Sequence, residues 1–288
     1  MNKIITLLLA LGFSCATWAQ KLEQKQTDEQ QQDSISYQVR LWGIGGGKQQ
    51  VSFLSPLVYE NMNFSTSRSK YRQFEGKITS KNSYTNMLLA QYPYGEGDLD
   101  ITTAISLQYQ FILNKRYLIN TNFISEGFPA LSVGWAYWFD WGIDVKASNA
   151  NNPYYFNLNN MTGLSVGLEK KLIIGGRQFN LYNEFTLPLV GIYMGSEYSS
   201  SFPYILSEKD ANPLDGFRIG SFKTNFQLHN DFNVDIKLKA KKRKPERTMR
   251  LRYSIDYMNL NLNNNHKQVV LHTFSIGYPF NRSNYVHK

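Results

Sequence analysis

Cysteine is nearly absent: the chain of 288 residues has one, Cys15. It falls in a start with a basic Lys3, an apolar run over 4–13 and small residues ending in Ala16-Thr17-Trp18-Ala19, the three parts of an export signal. Cleavage after Ala19 would leave Gln20 first and a mature chain without cysteine, which excludes disulfides, thiolate metal sites and cysteine nucleophiles. Lipidation of Cys15 is the competing reading, but Phe13 stands where a lipoprotein signal wants a small residue. Long hydrophobic runs are also missing. A helical span needs about twenty apolar residues; the leader's run is about half that, and no later stretch approaches it, consistent with a mean hydropathy of −0.41.

Histidine is scarce, with His229, His266, His272 and His287 scattered and no His-x-x-x-His or Cys-x-x-Cys. Neither a metal site nor a cofactor is therefore expected. Gly45-Gly46-Gly47-Lys48 does not have the spacing of a phosphate loop, because Trp42 stands where the first glycine belongs and Gln49 where Ser or Thr should follow the lysine. It is expected to be a glycine-rich turn between two strands.

Aromatic residues, by contrast, are plentiful: 19 Tyr, 18 Phe and 5 Trp, 15% of the chain. They recur with a period of two. Over 131–146, Leu131, Val133, Trp135, Tyr137, Phe139, Trp141, Ile143 and Val145 alternate with smaller or polar residues, and over 222–240 apolar residues alternate with Lys223, Asn225, Gln227, His229, Asp231, Asn233, Asp235, Lys237 and Lys239. Side chains of a strand alternate between faces, so each segment has one greasy and one polar side. The pattern recurs over 101–113, 164–172, 179–189, 249–257 and 270–280, and more faintly over 35–43, 51–59, 69–77, 84–92 and 116–125. That predicts an all-β fold, a transmembrane antiparallel up-and-down β-barrel of about twelve strands, within a range of about ten to fourteen. Asn114-Lys115-Arg116 reads as a very short connection between two of them. The turn at 173–176 and the basic turn at 241–247 fall on the periplasmic side, with the polar segments 147–157 and 195–218 outside. The expected organisation is a signal peptide over 1–19, a Gln-rich disordered periplasmic tail over 20–33, the barrel over 34–280 and a C-terminal tail over 281–288.

Phe274-Ser275-Ile276-Gly277-Tyr278-Pro279-Phe280 resembles the C-terminal signal read by the barrel-assembly machinery, although eight residues follow it. Taken with the signal peptide, the Gln-rich mature start and the Tyr/Asn-rich strands, the chain resembles the uncharacterised outer-membrane β-barrel proteins of Bacteroidota-type bacteria. The resemblance implies location in the cell outer membrane and the barrel fold. It transfers no functional residue.

The polar face carries Glu169, Lys171, Glu184, Lys223, His229, Asp231, Asp235, Lys237, Arg250, Arg252 and Asp256, with mixed signs. Opposite charges facing one another across a narrow barrel would pair and fill the lumen, whereas a wide porin would show a sustained field of one sign. Trp135, Trp138, Trp141, Tyr154, Tyr155, Tyr253, Tyr257 and Tyr278 are expected in interfacial aromatic girdles. A net charge of +9 and the basic run at 237–247 raise nucleic-acid binding, which export argues against. No catalytic residue is assigned. The expected function is a non-enzymatic barrel, scaffold or accessory subunit of an envelope complex or a narrow channel, with outer-membrane lipids, lipopolysaccharide and the assembly machinery as partners. Two alternatives stand beside it. One is a lipid hydrolase of the phospholipase A type, for which His229 and Ser254 are the only serine–base pairing in view although the family's His-x-Ser pattern is missing after both His229 and His272. The other is a soluble secreted glycan-binding β-protein.

Overall fold

The alternating segments become eleven β-strands in a computed structural model, which describes residues 35–52, 54, 57–74, 78–93, 104–119, 128–146, 154–195, 217–238, 247–262 and 265–281. They are β1 (Ile35–Val51), β2 (Val58–Phe74), β3 (Ile78–Pro93), β4 (Ala104–Ile119), β5 (Ala130–Lys146), β6 (Tyr154–Ile174), β7 (Arg177–Gly195), β8 (Phe217–Ser221), β9 (Asn225–Leu238), β10 (Arg247–Leu262) and β11 (Asn265–Asn281). The expected leader, the Gln-rich tail and the last seven residues lie outside the described residues.

Every neighbouring pair is antiparallel, and β1 pairs with both β2 and β11 while β6 pairs with β7, so the sheet closes. The short β8 and the longer β9 both lie along β7, separated by a turn at 222–224, and together occupy one place in the wall. The result is a closed barrel of ten strands with one extra short strand. Closure pairs both edges of the ten wall strands over most of their length, while the short β8 pairs with β7 alone among the described residues.

Its register fixes how steeply the strands lean. A circuit from Tyr193 on β7 through hydrogen-bonded partners Asn159, Asp140, Gln110, Thr85, Ser67, Leu41, Gly277, Arg250 and Asp235 returns to β7 at Asn180. The slide from 193 to 180 is thirteen residues, one of which is absorbed by the bulge at Thr162/Gly163. A stagger slightly larger than the strand number corresponds to a tilt of about 40° and a lumen narrow enough for side chains to span.

Three expectations are corrected by this register. Asn114-Lys115-Arg116 is no connection but the middle of β4, with Asn114 and Arg116 facing in and Lys115 out. The described parts of the segments at 101–113 and 116–125 are therefore one strand, β4. Likewise 51–59 spans the end of β1 and the start of β2, whose far end covers most of 69–77; these mergers reduce about twelve strands to ten. The Gly45-Gly46-Gly47 run is likewise interior to β1 and not a turn. A Cβ on Gly45 would lie 1.9 Å from the His272 carbonyl oxygen, so glycine here permits a close backbone approach between β1 and β11.

Both chain ends of the barrel, the start of β1 and the end of β11, sit at one end, called the terminal end below, together with the β6–β7 turn at Gly175 and Gly176. Both glycines have positive φ, 57° and 70°, a conformation that suits a two-residue hairpin turn. The long β7–β8 connection leaves from the opposite end.

Candidate functional site

Burial along each strand shows which way its side chains point. On β5, Ser132, Ala136, Trp138, Asp140, Asp144 and Lys146 are buried while Trp135 and Val145 are exposed, so apart from Trp138 the polar and small residues face the lumen and the large apolar ones face outward. The same holds on β9, where Asn225, Gln227, His229, Asp231, Asn233 and Asp235 are buried and Phe232 and Leu238 are exposed. Outward apolar and inward polar is the reverse of a soluble sheet protein.

Inside, charged side chains from distant strands meet. Lys81 of β3 pairs with Glu184 of β7 and, at 2.9 Å, with Asp231 of β9. Arg116 of β4 reaches the other oxygen of Glu184 at 2.5 Å. His229 bridges Asp231 at 3.2 Å through Nε2 and Asp256 at 2.7 Å through Nδ1. Arg250 grips Asp235 with two parallel 2.6 Å hydrogen bonds from Nε and Nη2, the planar fork that a guanidinium offers a carboxylate. Its guanidinium carbon also lies 5.0 to 5.8 Å from the ring centroids of Tyr37, Tyr71 and Tyr182, an aromatic cage around a buried cation.

Nearer the opposite end, Lys267 of β11 crosses the full width of the lumen to Asp144 of β5, at 2.7 Å, and to Asn157 at 2.7 Å. Gln49 donates to Asp144 at 2.9 Å, and Ser106 and Gln91 add further donors. Gln110 of β4 reaches Asp256 of β10, another diametric contact, at 3.1 Å. Asp140 accepts from Trp138 Nε1 at 2.6 Å and from Asn159 at 2.7 Å. Beyond these groups Val51, Leu54, Tyr155, Tyr193 and Leu260 form an apolar cluster. Carboxylates removed from water are stabilised by cations and donors around them, as Lys267, Gln49, Gln91 and Ser106 are arranged around Asp144, whereas Asp140 is held by neutral donors.

Of the residues assigned to the lumen from alternation, Glu184, His229, Asp231, Asp235, Arg250, Arg252 and Asp256 come together in this network, with Arg252 lying 3.8 Å from Asp231. Glu169 faces inward and is half-buried near the terminal end, where Lys171 and Lys237 are exposed. Lys223 is not part of it: the turn at 222–224 breaks the alternation between β8 and β9 and leaves Lys223 exposed. Lys81, Arg116, Asp140, Asp144 and Lys267 were missed. Asp140 and Asp144 sit on the polar phase of β5, so alternation carried that signal; the other three needed the strand order.

Of the expected girdle residues, Trp135, Trp141, Tyr154, Tyr253, Tyr257 and Tyr278 project from the outer wall, with Trp135 and Tyr278 toward the terminal end and Trp141 and Tyr257 farther from it, whereas Trp138 and Tyr155 take the inward phase of β5 and β6 and are buried in the lumen. Tyr253 packs on Phe274 at 4.7 Å and meets His272 Nδ1 through its hydroxyl at 2.7 Å.

Catalysis by His229 and Ser254 finds no support in the geometry. Both imidazole nitrogens are engaged by carboxylates, and the Ser254 hydroxyl donates to the Thr273 carbonyl at 3.5 Å. Among the described residues no group of three or more His, Cys, Asp or Glu is arranged to hold a metal ion.

No curated protein matches the chain. Among solved structures it is similar to the translocator domain of autotransporter NalP from Neisseria meningitidis, 8% identical, with 93% of this chain and 97% of that one covered and a TM-score of 0.41. It is similar also to the outer membrane protease OmpT from Escherichia coli, 8% identical over 87% of this chain and 97% of that one, with a TM-score of 0.43. The match to a family model runs over residues 4–282, and the chain thus belongs to the family described as "Protein of unknown function (DUF3316)".

Proposed function

We propose that the protein is an integral outer-membrane β-barrel with a closed lumen, acting without catalysis as a scaffold or accessory subunit of an envelope complex and not as an open channel. The observation that carries this reading is the set of contacts spanning the lumen, above all Lys267 to Asp144 and Gln110 to Asp256, each joining strands on opposite sides of the ten-strand wall. Ions and solutes passing through would have to break several buried ion pairs at once. A general pore instead lines its walls and leaves the axis open.

The outer wall supports the membrane part. Trp42, Ile44, Phe64, Leu88, Ile105, Leu107, Leu164, Val190, Phe274 and Ile276 are all exposed, a band of apolar surface far beyond what a soluble secreted glycan-binding protein would tolerate. Export by the N-terminal signal and insertion by the barrel-assembly machinery fit the same reading, as does the aromatic alternation of β11.

Planar-bilayer recording tests the closed lumen. The purified barrel is expected to give no steady single-channel conductance, while a variant with Lys81, Gln110, Asp144, Glu184, Asp231, Asp256 and Lys267 all replaced by glycine is expected to conduct. Large steady currents from the unaltered protein would overturn the scaffold assignment. Fractionation tests the location separately: the protein should need detergent for extraction and migrate differently in gels before and after heating, and recovery as a soluble, heat-indifferent protein would sink the membrane reading.

A further inference from the structure

Two outward side chains of the β7–β9 wall break its apolar pattern. Asn183 of β7 and Asn230 of β9 both point away from the lumen, flanked along their own strands by Leu181 and Phe185 and by Leu228 and Phe232. On the neighbouring strands Leu168 of β6 stands opposite Asn183, and Ile255 of β10 opposite Asn230. Asn230 Nδ2 donates to Asn183 Oδ1 at 2.7 Å and to the Glu184 carbonyl at 3.4 Å. Asn183 Nδ2 and Asn230 Oδ1 have no hydrogen-bond partner among the described residues. One donor and one acceptor are thus left facing hydrocarbon, where lipid tails satisfy neither.

Position adds the second observation. Asn183 pairs in register with Phe232, and Asn230 lies two residues nearer the opposite end of β9. With strands leaning by about 40°, the step from β7 across to β9 moves to one side and the step up β9 to Asn230 moves back. The line from Asn183 to Asn230 therefore runs nearly parallel to the barrel axis. A two-fold axis relating two barrels of the same orientation in a membrane lies along the membrane normal, in that same direction. Both amides can then reach the two-fold together. A primary amide is self-complementary there, because its N–H and its carbonyl oxygen, which accepts twice, match those of its own copy.

We propose that the β7–β9 wall is a homodimer interface, at which two copies of this barrel meet across a two-fold axis along the membrane normal. Asn183 and Asn230 each exchange hydrogen bonds with the same residue of the second copy, and Leu181, Phe185, Leu228 and Phe232 pack around them. The proposal rests on the membrane reading above and names a second copy of the chain as the partner of the scaffold. An unrelated protein would have to offer a matching donor and acceptor at the same two heights, whereas a second copy does so by symmetry. Amides sealed between apolar faces in a bilayer hold those faces together, since the alternative is an unpaired polar group in hydrocarbon.

Equilibrium sedimentation of the full chain in neutral detergent micelles tests it. A monomer–dimer equilibrium is expected, weakened roughly thirtyfold in Asn183→Leu/Asn230→Leu. Asn86→Leu should leave it unchanged: Asn86 is an outward amide on the opposite wall, whose partners in register, Thr66 and Tyr109, bring hydroxyls of their own. Spin labels in lipid vesicles locate the interface, the chain's one natural cysteine, Cys15, lying in the expected leader. Labels on Leu181→Cys should approach between copies to within about 20 Å, since packed sheet faces lie about 10 Å apart, and labels on Leu88→Cys of the opposite wall should not. Heat-dependent gel migration reports that each variant has formed its barrel; should the leucine variant fail to form, Asn183→Ser/Asn230→Ser replaces it, with a smaller loss expected. A strictly monomeric barrel, equal association by the leucine variant, approach of the Leu88→Cys labels in place of the Leu181→Cys labels, or recovery from native membranes with a different polypeptide on this wall would each overturn the dimer. Loss of the membrane reading itself shows up differently, as a protein that stays soluble without detergent.

Discussion

Toward the terminal end the lumen is filled by charge, whereas toward the other it is filled by neutral amides and hydroxyls and an apolar cluster around the Lys267–Asp144 pair. Near the terminal end Glu184, Asp231 and Asp235 are shared among Lys81, Arg116, His229 and Arg250, so each carboxylate depends on groups from at least one other strand. Near the opposite end one ion pair, Lys267 with Asp144, is set among amides and hydroxyls and covered by Val51, Leu54, Tyr155, Tyr193 and Leu260. The difference lies in how losses propagate. A charge removed from a shared network strands its partners, while a methyl group removed from an apolar cluster leaves only a cavity.

That contrast is sharpest at Glu184. Replacing it by leucine leaves both Lys81 and Arg116 short of a buried counter-ion, and the expected loss is about 3–5 kcal/mol of stability. Urea unfolding of the protein in lipid vesicles measures it. A loss under about 1 kcal/mol would mean that water enters this end of the lumen and solvates the two cations.

In the apolar cluster at the opposite end, Leu260→Ala truncates a fully buried side chain. The cost expected is about 3 kcal/mol, the middle of the range for a buried leucine. Because the cluster meets the Lys267–Asp144 pair through Tyr155 but shares no partner with Glu184, the effects of Leu260→Ala and Glu184→Leu should add in the double variant to within about 0.5 kcal/mol. Strong coupling in the same vesicle assay would show that the two ends act as one unit.

How much of this was legible depended on contrast between the two faces of a strand. On β5 and β11 the contrast is strong: Trp135, Phe139 and Trp141, or Phe274, Ile276 and Tyr278, stand out, while Asp140 and Asp144, or Thr273 and Ser275, stand in, with Trp138 and Leu271 as apolar exceptions on the inner face. On β2 and β3 it fades, because Arg68, Lys70, Asn82 and Asn86 point outward and Met87 and Leu89 point inward. Strand boundaries there could not be placed from polarity alone. Arg116 was hidden for a related reason: a polar triplet in mid-strand looks like a turn unless one knows that Asn114 reaches Thr186 and Arg116 reaches Glu184 across the lumen.

The candidate site followed the same logic at longer range. Alternation found Glu184, Asp231 and Asp235 because each lies on a clearly two-faced strand. It could not find Lys81 or Lys267 as their partners, since those contacts join residues 103 and 123 positions apart along the chain. Only closure of the sheet and its stagger bring such residues together.

The smallest expected effects separate the pair from its surroundings. Lys267→Met removes the cation from Asp144 but leaves Gln49, Gln91 and Ser106 as donors, so the loss should be about 2 kcal/mol, below that of Glu184→Leu. Changing both partners, in Lys267→Met/Asp144→Leu, removes the buried charge altogether and lets the apolar cluster extend toward the middle of the lumen. Replacing a complete buried ion pair by apolar groups of similar size is often neutral, so this double variant should unfold within about 1 kcal/mol of the unaltered barrel and be more stable than Lys267→Met alone. If it proves less stable than the single variant, Lys267 and Asp144 are tying opposite walls together in a way that packing cannot replace, and the two ends of the lumen differ less than their composition implies.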